Sequence, residues 1–361
     1  MRKEFYNTLR LVAWGRELKR EHLLTLLQAD DEEERDLFSL ADSIRDRYVG
    51  DKVHLRGIIE FSNHCRQDCL YCGLRRGNTW LARYRLEPGE ILAIARRAAG
   101  LGYGTLVLQS GEDNWYSTQT LAELVYRIKQ ELDVAITLSV GERERADYKL
   151  WREAGADRYL MKHETADPYL FTSLRPGTTL AGRVQGLRWL RELGYQVGSG
   201  NMVGLPGQTP ETLVDDLLLL RELDVEMAGI GPFIPNGQTP LADAPGGTAA
   251  LTLRVLAVAR LVLPWAHLPA TTALGSIDAE GRQKALNCGA NVVMPNVTPA
   301  RYRERYQIYP NKICLQEEPD HCRGCVEGWV QALGREVATG HGHSPKAPFR
   351  NPRLPEKAIP G

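Results

Sequence analysis

Cys65, Cys69 and Cys72 stand in C-x3-C-x2-C spacing directly after an apolar run, Val53 to Phe61. Three thiolates on one short loop suit an iron–sulfur cluster that keeps one iron free of protein ligands. A structural zinc site closes its shell with four ligands, and no fourth Cys or well-placed His follows within the loop. Three cysteines cannot all pair locally, and no signal-peptide pattern opens the chain, so a disulfide reading is poor. The spacing points to a cluster with an open iron, ahead of zinc or inert thiols, and that iron is where chemistry would start.

A second triplet follows much later as Cys314-x7-Cys322-x2-Cys325. Its three ligands also fall short of a closed zinc shell unless His321 joins, so an accessory iron–sulfur cluster, 2Fe–2S or 4Fe–4S, stands ahead of zinc. Its place beyond the last expected strand predicts a peripheral site. Six of the seven cysteines fall in these triplets, leaving Cys288 over. That is metal-ligand usage in a reducing compartment.

The elements that must position these groups can be read from periodicity. A chain of 361 residues fits two average domains or one large α/β barrel with extensions. Its formal net charge is zero, which implies no nucleic-acid partner. No apolar run reaches the roughly 18 residues needed to cross a bilayer, so no membrane association and a cytoplasmic location are expected. Residues 1–50 carry helical patterns at about 20–27 and 32–48, expected to pack beneath the main domain. From Val53 an amphipathic helix, a Gly and a short apolar run recur. The runs are 53–62, 105–110, 135–140, 158–163, 196–203, 227–234, 268–274 and 291–296. Gly102, Gly155, Gly194 and Gly289 end helices before strands, and Thr209-Pro210 opens one. Eight alternations predict a (β/α)8 TIM barrel over 51–300, between an N-terminal helical extension (1–50) and a C-terminal extension (301–361) that bears the second triplet. A six-strand open barrel with an extra lobe remains open. The tail from about Gly340, rich in Pro and Gly, reads as a surface strap or a disordered segment.

Barrel chemistry sits where strands end. The first run leads into the cysteine loop and the second into Gln109-Ser110-Gly111-Glu112-Asp113. The third ends at Ser139, and the fourth holds Arg158, Lys162, His163 and Glu164. Glu164, with Arg183 opening the next helix, offers an acidic and a basic group; a solvated ion pair is the plain alternative. His163 beside a glutamate reads as a hydrogen-bonded structural residue. The fifth run is dense in glycine around Met202, as if a bulky ligand approached the backbone. Thr271 and Thr272 in the seventh run, and Met294 and Tyr306 at and after the eighth, would stand at the barrel mouth.

The first triplet, with Tyr71 just before its last cysteine, resembles the signature of the radical S-adenosylmethionine (SAM) enzymes. The resemblance implies a 4Fe–4S cluster whose open iron is chelated by the amino and carboxylate groups of SAM. Reduction then yields methionine and a 5'-deoxyadenosyl radical, with a protein such as ferredoxin or flavodoxin as reductant. It further implies that Tyr71, Gln109, Ser110, Gly111, Glu112, Ser139, Glu164, Arg183 and Met202 bind SAM, the ammonium at the Gly-rich segment and the adenine near Met202.

The segments FSNHCRQDCLYCGLRR, LVLQSGED, GADRYLMKHETA, VGLPGQT, GIGPFIP, PATTALG and VVMPN run along about residues 20–335. Together they closely resemble the radical SAM maturases that help build the H-cluster of FeFe-hydrogenase. That family implies a small organometallic or thiol-containing substrate, a cysteine-bound iron carbonyl cyanide unit, on whose sulfur the radical acts. It also implies transient contact with other maturases. Arg158, Lys162, Thr271, Thr272, Met294 and Tyr306 would then line the substrate cavity, Lys162 standing where an arginine is expected. The alternatives are a mutase of the methylornithine synthase type, which is not expected to carry the second triplet, and a non-catalytic electron-transfer or scaffold protein. Biotin synthase is set aside, because only Cys288 lies near the barrel interior.

Overall fold

The computed structural model describes residues 2–349. Six strands pair in parallel and in chain order: Gly57–Ser62, Thr105–Ser110, Ala135–Ser139, Arg158–Leu160, Gln196–Ser199 and Met227–Ala228. They are nearly continuous buried apolar runs, as in LVL and AITL, because helices cover one face and the barrel interior the other.

The ring then closes. Segment 267–270 bridges Met227 on one side and Val292 on the other, and Val292–Val293 pairs with His54–Leu55. Asn296 bridges Ile58, where the Ile58 N–H donates to Pro295 O at 2.8 Å and the Ile58 carbonyl accepts from Val297 N–H at 2.8 Å. The barrel is therefore an eight-stave cylinder, and the open six-strand alternative is set aside. The fifth and sixth runs are each interrupted. Met202–Val203 and Gly231–Pro232 form a separate parallel ladder at the rim, above the main sheet.

Helices alternate with the strands and start on designed caps. Ser117, Thr179, Thr209 and Thr248 each accept a backbone N–H from the first turn of the helix they open. Such caps contribute about 1 kcal/mol each. One continuous apolar core runs from Phe5, Leu23 and Leu37 through the barrel wall to Val326 and Val330.

Both extensions depart from expectation. The N-terminal part has three helices, Lys3–Ala13, Arg20–Leu27 and Asp31–Val49, the first of which the sequence reading missed. They lie along the flank rather than beneath. Arg254 on helix Ala249–Val262 donates to Glu34 Oε1 at 2.8 Å and to Leu27 O at 2.9 Å, and Arg221 on helix Pro210–Glu222 donates to Leu18 O at 2.8 Å. What closes the bottom is the C-terminal segment. Val337 bridges Val53, His341 O accepts from Thr105 and from Arg158, and Ser344 N donates to Gln196 Oε1 at 2.8 Å. The tail to residue 349 is thus an ordered strap laid across the amino ends of the strands; residues 350–361 lie outside the described ones.

Candidate active site

The carboxyl ends of the strands open into one cavity of about 400 Å³. The three cysteines of the first triplet face it together, beside Tyr71, Gly111, Glu164 and Arg183. Its other wall carries Thr271, Thr272, Met294 and Tyr306.

The cysteine loop is pinned from two sides. Arg66 N donates to Glu112 O at 2.9 Å and Glu112 N to Cys65 Sγ at 3.4 Å, lacing the loop to the exit of the second strand. Gly73 N donates to Ile308 O at 3.0 Å, and Leu70 N to Leu174 O at 2.9 Å. Burial, reinforced by the neighbouring thiols, pushes the Cys72 thiol well above its ordinary range. Crowding three sulfurs in such a place makes sense for ligands that bind metal as thiolates.

Next to the cysteines is a charged cluster. Burial raises the pKa of Glu164, but Lys162, Arg175 and Arg183 outweigh it and hold the carboxyl below the usual range. Lys162 Nζ lies 3.3 Å from Glu164 Oε2, yet that oxygen has no aligned hydrogen-bond donor. Arg183 donates through Nε to Glu142 Oε1 at 2.5 Å and through Nη1 to Lys162 O at 3.0 Å, leaving buried Nη2 unpaired. A carboxylate oxygen held only by a poorly aligned lysine and an unpaired guanidinium nitrogen in one wall can both take a ligand. A small zwitterion with hydroxyls and a carboxylate would answer both.

Several expected residues have different employment. The Glu112 carboxylate is committed to the cysteine loop, accepting from Gln67 at 2.6 Å and Arg66 at 3.2 Å, so the Gly-rich segment offers the cavity its backbone more than that side chain. The Thr271 hydroxyl caps helix Thr272–Ile277, accepting from Leu274 N at 3.3 Å. Tyr306 accepts a 3.4 Å hydrogen bond from Gln109 Nε2. Ser139, Met202 and Met294 line the cavity as expected.

Arg158 does not. It lies at the amino end of its strand, where its guanidinium donates to Thr105 Oγ1 at 3.1 Å and His341 O at 2.6 Å, beneath the cavity floor. A strand residue points to the mouth only near the carboxyl end, and Arg158 is the first residue of its strand. The glycines of the fifth run also answer a different need. A Cβ on Gly200, at φ +156°, would strike the Gly229 carbonyl, and one on Gly204, at φ +86°, would strike Gly247. Backbone packs against backbone there, not against a ligand.

The second triplet is not wholly peripheral. Cys314 and Cys322 adjoin each other and line the far side of the same cavity, whereas Cys325 is exposed and outside its lining. The chain folds back after the last strand, which spacing alone does not reveal.

Three wall residues, Arg175, Lys312 and Glu60, and one behind the wall, Glu142, escaped the sequence reading. Arg175 donates to Tyr71 Oη at 2.8 Å and stands 3.8 Å from Glu112. Glu142 pairs with Arg183, and Lys312 forms a buried ion pair with Glu60. No motif marks them, since each is defined by a partner distant in the chain.

Chains with this barrel and an open cysteine triad form a class, and the chain belongs to the radical SAM superfamily, whose pattern matches residues 59–220. Membership brings a 4Fe–4S cluster and SAM, and the donors above fit both. Over 322 residues the chain is 53% identical to the FeFe-hydrogenase maturase subunit HydE of Thermotoga maritima, covering 89% of this chain and 92% of that one, which places it in the HydE family. It is 32% identical to 3-methylornithine synthase of Methanosarcina acetivorans over 90% of this chain and 91% of that one. The crystal structure of a methylornithine synthase superposes with a TM-score of 0.82 at 29% identity, covering 92% of this chain and 97% of that one. No helix among the described residues is long and apolar enough to cross a membrane.

Proposed function

We propose that this chain is a radical SAM maturase that reductively cleaves SAM and directs the 5'-deoxyadenosyl group to a sulfur of a cysteine-bound iron carbonyl cyanide precursor during H-cluster assembly. The observation that carries the reading is the single cavity that joins the cysteine triad, the Glu164–Arg183 wall and the Thr271–Met294–Tyr306 wall. A 4Fe–4S cluster held by Cys65, Cys69 and Cys72 supplies one electron to the sulfonium when bound.

The chain's own residues do the rest. Arg183 presents its free Nη2 to the methionine carboxylate, and Glu164 presents Oε2 to ribose hydroxyls. The carbonyls of Ser110 and Gly111 face the ammonium, with Ser139 beside them, and Met202 and Phe233 form an apolar side for the adenine. Tyr71 is held by Arg175 against the triad. The strap across the barrel bottom leaves the mouth as the way in for substrate and helps keep water from a reactive intermediate.

Lys162, Thr272, Met294 and Tyr306 are assigned to the precursor. Cys314, Cys322 and Cys325 are assigned to an accessory iron–sulfur cluster, supported by Cys322 and Cys325 lying three residues apart on helix Pro319–Ala332. An electron-donor protein and other maturases are the expected partners, in the cytoplasm. The much higher identity to the maturase than to the mutase favours sulfur chemistry over lysine rearrangement. Anaerobic reconstitution and product analysis test it. An adenosyl thioether is expected, while methylornithine formed from lysine would falsify the maturase reading.

A further inference from the structure

Glu164 enters the cavity from a backbone conformation that a side-chain-bearing residue seldom takes, φ +68°. Thr165 N donates to His163 O at 2.9 Å, closing a three-residue γ-turn about Glu164. A turn of this kind persists only where its surroundings over-determine it.

Those surroundings lie behind the cavity wall and centre on Asp216, a fully buried residue of helix Pro210–Glu222. Its Oδ1 accepts from Ala166 N at 2.5 Å, and its Oδ2 from Asn201 Nδ2 at 3.0 Å and Gln208 Nε2 at 3.3 Å. Gln208 also donates to Met202 O at 2.9 Å and accepts from Gly204 N at 2.7 Å. Glu164 N donates to Gly200 O at 3.0 Å, and Met202 N to Glu164 O at 2.9 Å. His163 Nδ1 lies 3.1 Å from Ser199 Oγ, and its Nε2 lies 3.7 Å from Asp216 Oδ1. One carboxylate therefore ties the loop after the fourth strand to the loop after the fifth. Of the residues in this network, only Glu164 and Met202 line the cavity.

Packing does not need a charge there. Leu213, Leu217 and Leu220 already seat the same helix on the barrel, and Asp216 has no Lys or Arg partner among the described residues. A buried carboxylate with no Lys or Arg beside it, and only His163 Nε2 at 3.7 Å, is costly, so its three N–H donors mark a role in geometry.

We infer that Asp216 is a positioning residue for SAM: it locks the γ-turn that aims Glu164 into the cavity and fixes the approach of Met202. The inference rests on the reading of Glu164 as a SAM ligand. In Asp216→Asn three donors compete for one remaining acceptor oxygen. On the cluster-loaded protein without SAM, the Ala166 amide should exchange at least about tenfold faster, as expected for a lost hydrogen bond to a charged group. SAM affinity by calorimetry should fall roughly tenfold, with KM for SAM rising alike and kcat within about twofold, the pattern of lost binding rather than lost chemistry.

In a Glu164→Gly background, where glycine accepts the positive φ, Asp216→Asn should add little further loss. Gln208→Met keeps the Asp216 charge and its bonds from Ala166 and Asn201, and cuts the 3.3 Å donation from Gln208 together with the links to Met202 and Gly204. It should shift affinity in the same direction, and it decides the matter should Asp216→Asn not fold. Wild-type SAM affinity in these variants, full additivity with Glu164→Gly, or a fall in kcat at unchanged KM overturns the assignment. Should the wild-type protein itself bind no SAM, the reading of Glu164 fails separately, and the exchange rate at Ala166 alone decides whether Asp216 holds the turn.

Discussion

Replacing Gly111 with Ala tests whether the cysteine loop and the second strand's exit form one rigid cradle. The added Cβ would collide with the His64 carbonyl and come within 2.8 Å of Cys65 Cβ, where ordinary contact begins at 3.4 Å. The His64 carbonyl oxygen would lie at 2.2 Å, so relief to 3.4 Å needs a shift of about 1.2 Å in a loop that cannot yield freely. Gly111 N is bonded to Ser62 O at 3.1 Å, and Ser62 Oγ both receives His64 N at 3.1 Å and donates to Asp113 at 2.7 Å. Overpacking of this order costs about 1–3 kcal/mol. A metal-binding constellation loosens once its first residues move by roughly 0.5 Å. The variant should therefore lose iron and sulfide from the first site on anaerobic reconstitution, and deoxyadenosine formation should drop roughly tenfold or more. Iron content and SAM cleavage matching the parent protein would show that the cradle is not what holds Cys65.

Cys69→Ala should abolish SAM cleavage, while Cys322→Ala should keep much of it and lower only the iron count; equal losses would place the second triplet in the reaction. Glu164→Gln should weaken SAM binding about ten- to a hundredfold, the worth of one hydrogen bond to a charged group. Because the folded pKa of Glu164 is depressed, its contribution is present above the ordinary carboxylate value and is lost only as pH falls through the lower folded value. SAM affinity measured from about pH 8 to pH 6 should be flat on its account, and a midpoint near neutrality would contradict this. Arg175→Ala, which strips Tyr71 of its donor and leaves Glu112 with less positive charge nearby, should cost about 1–3 kcal/mol in denaturant unfolding. Arg158→Met should release the C-terminal strap, seen as faster proteolysis after residue 340, and leave SAM affinity within about twofold, since it sits below the floor.

Where reasoning from sequence succeeded, the signal was local. The triad's ligand spacing, the helix cap at Thr209, and the recurrence of strand and helix each depend on residues within a few positions of one another. Thr271 shows the limit. Its place near a strand end could be read, but its hydroxyl had already been claimed as a helix cap. Arg158 shows another, because a run of apolar residues does not say which of its ends faces the mouth until the register with its neighbours is known.

What the linear chain determined by itself was therefore the kind of chemistry: thiolates four and three positions apart on a loop after a strand, and eight turns of a repeating phrase that can close a cylinder. Only tertiary structure decided which charges meet. Arg175 reaches Tyr71 across 104 positions, Lys312 reaches Glu60 across 252, and the final strap passes under the strands rather than out into solvent. The physical reason is that a buried charge is tolerable only beside its partner, and that partner is supplied by the closure of the barrel, which no short window of sequence contains.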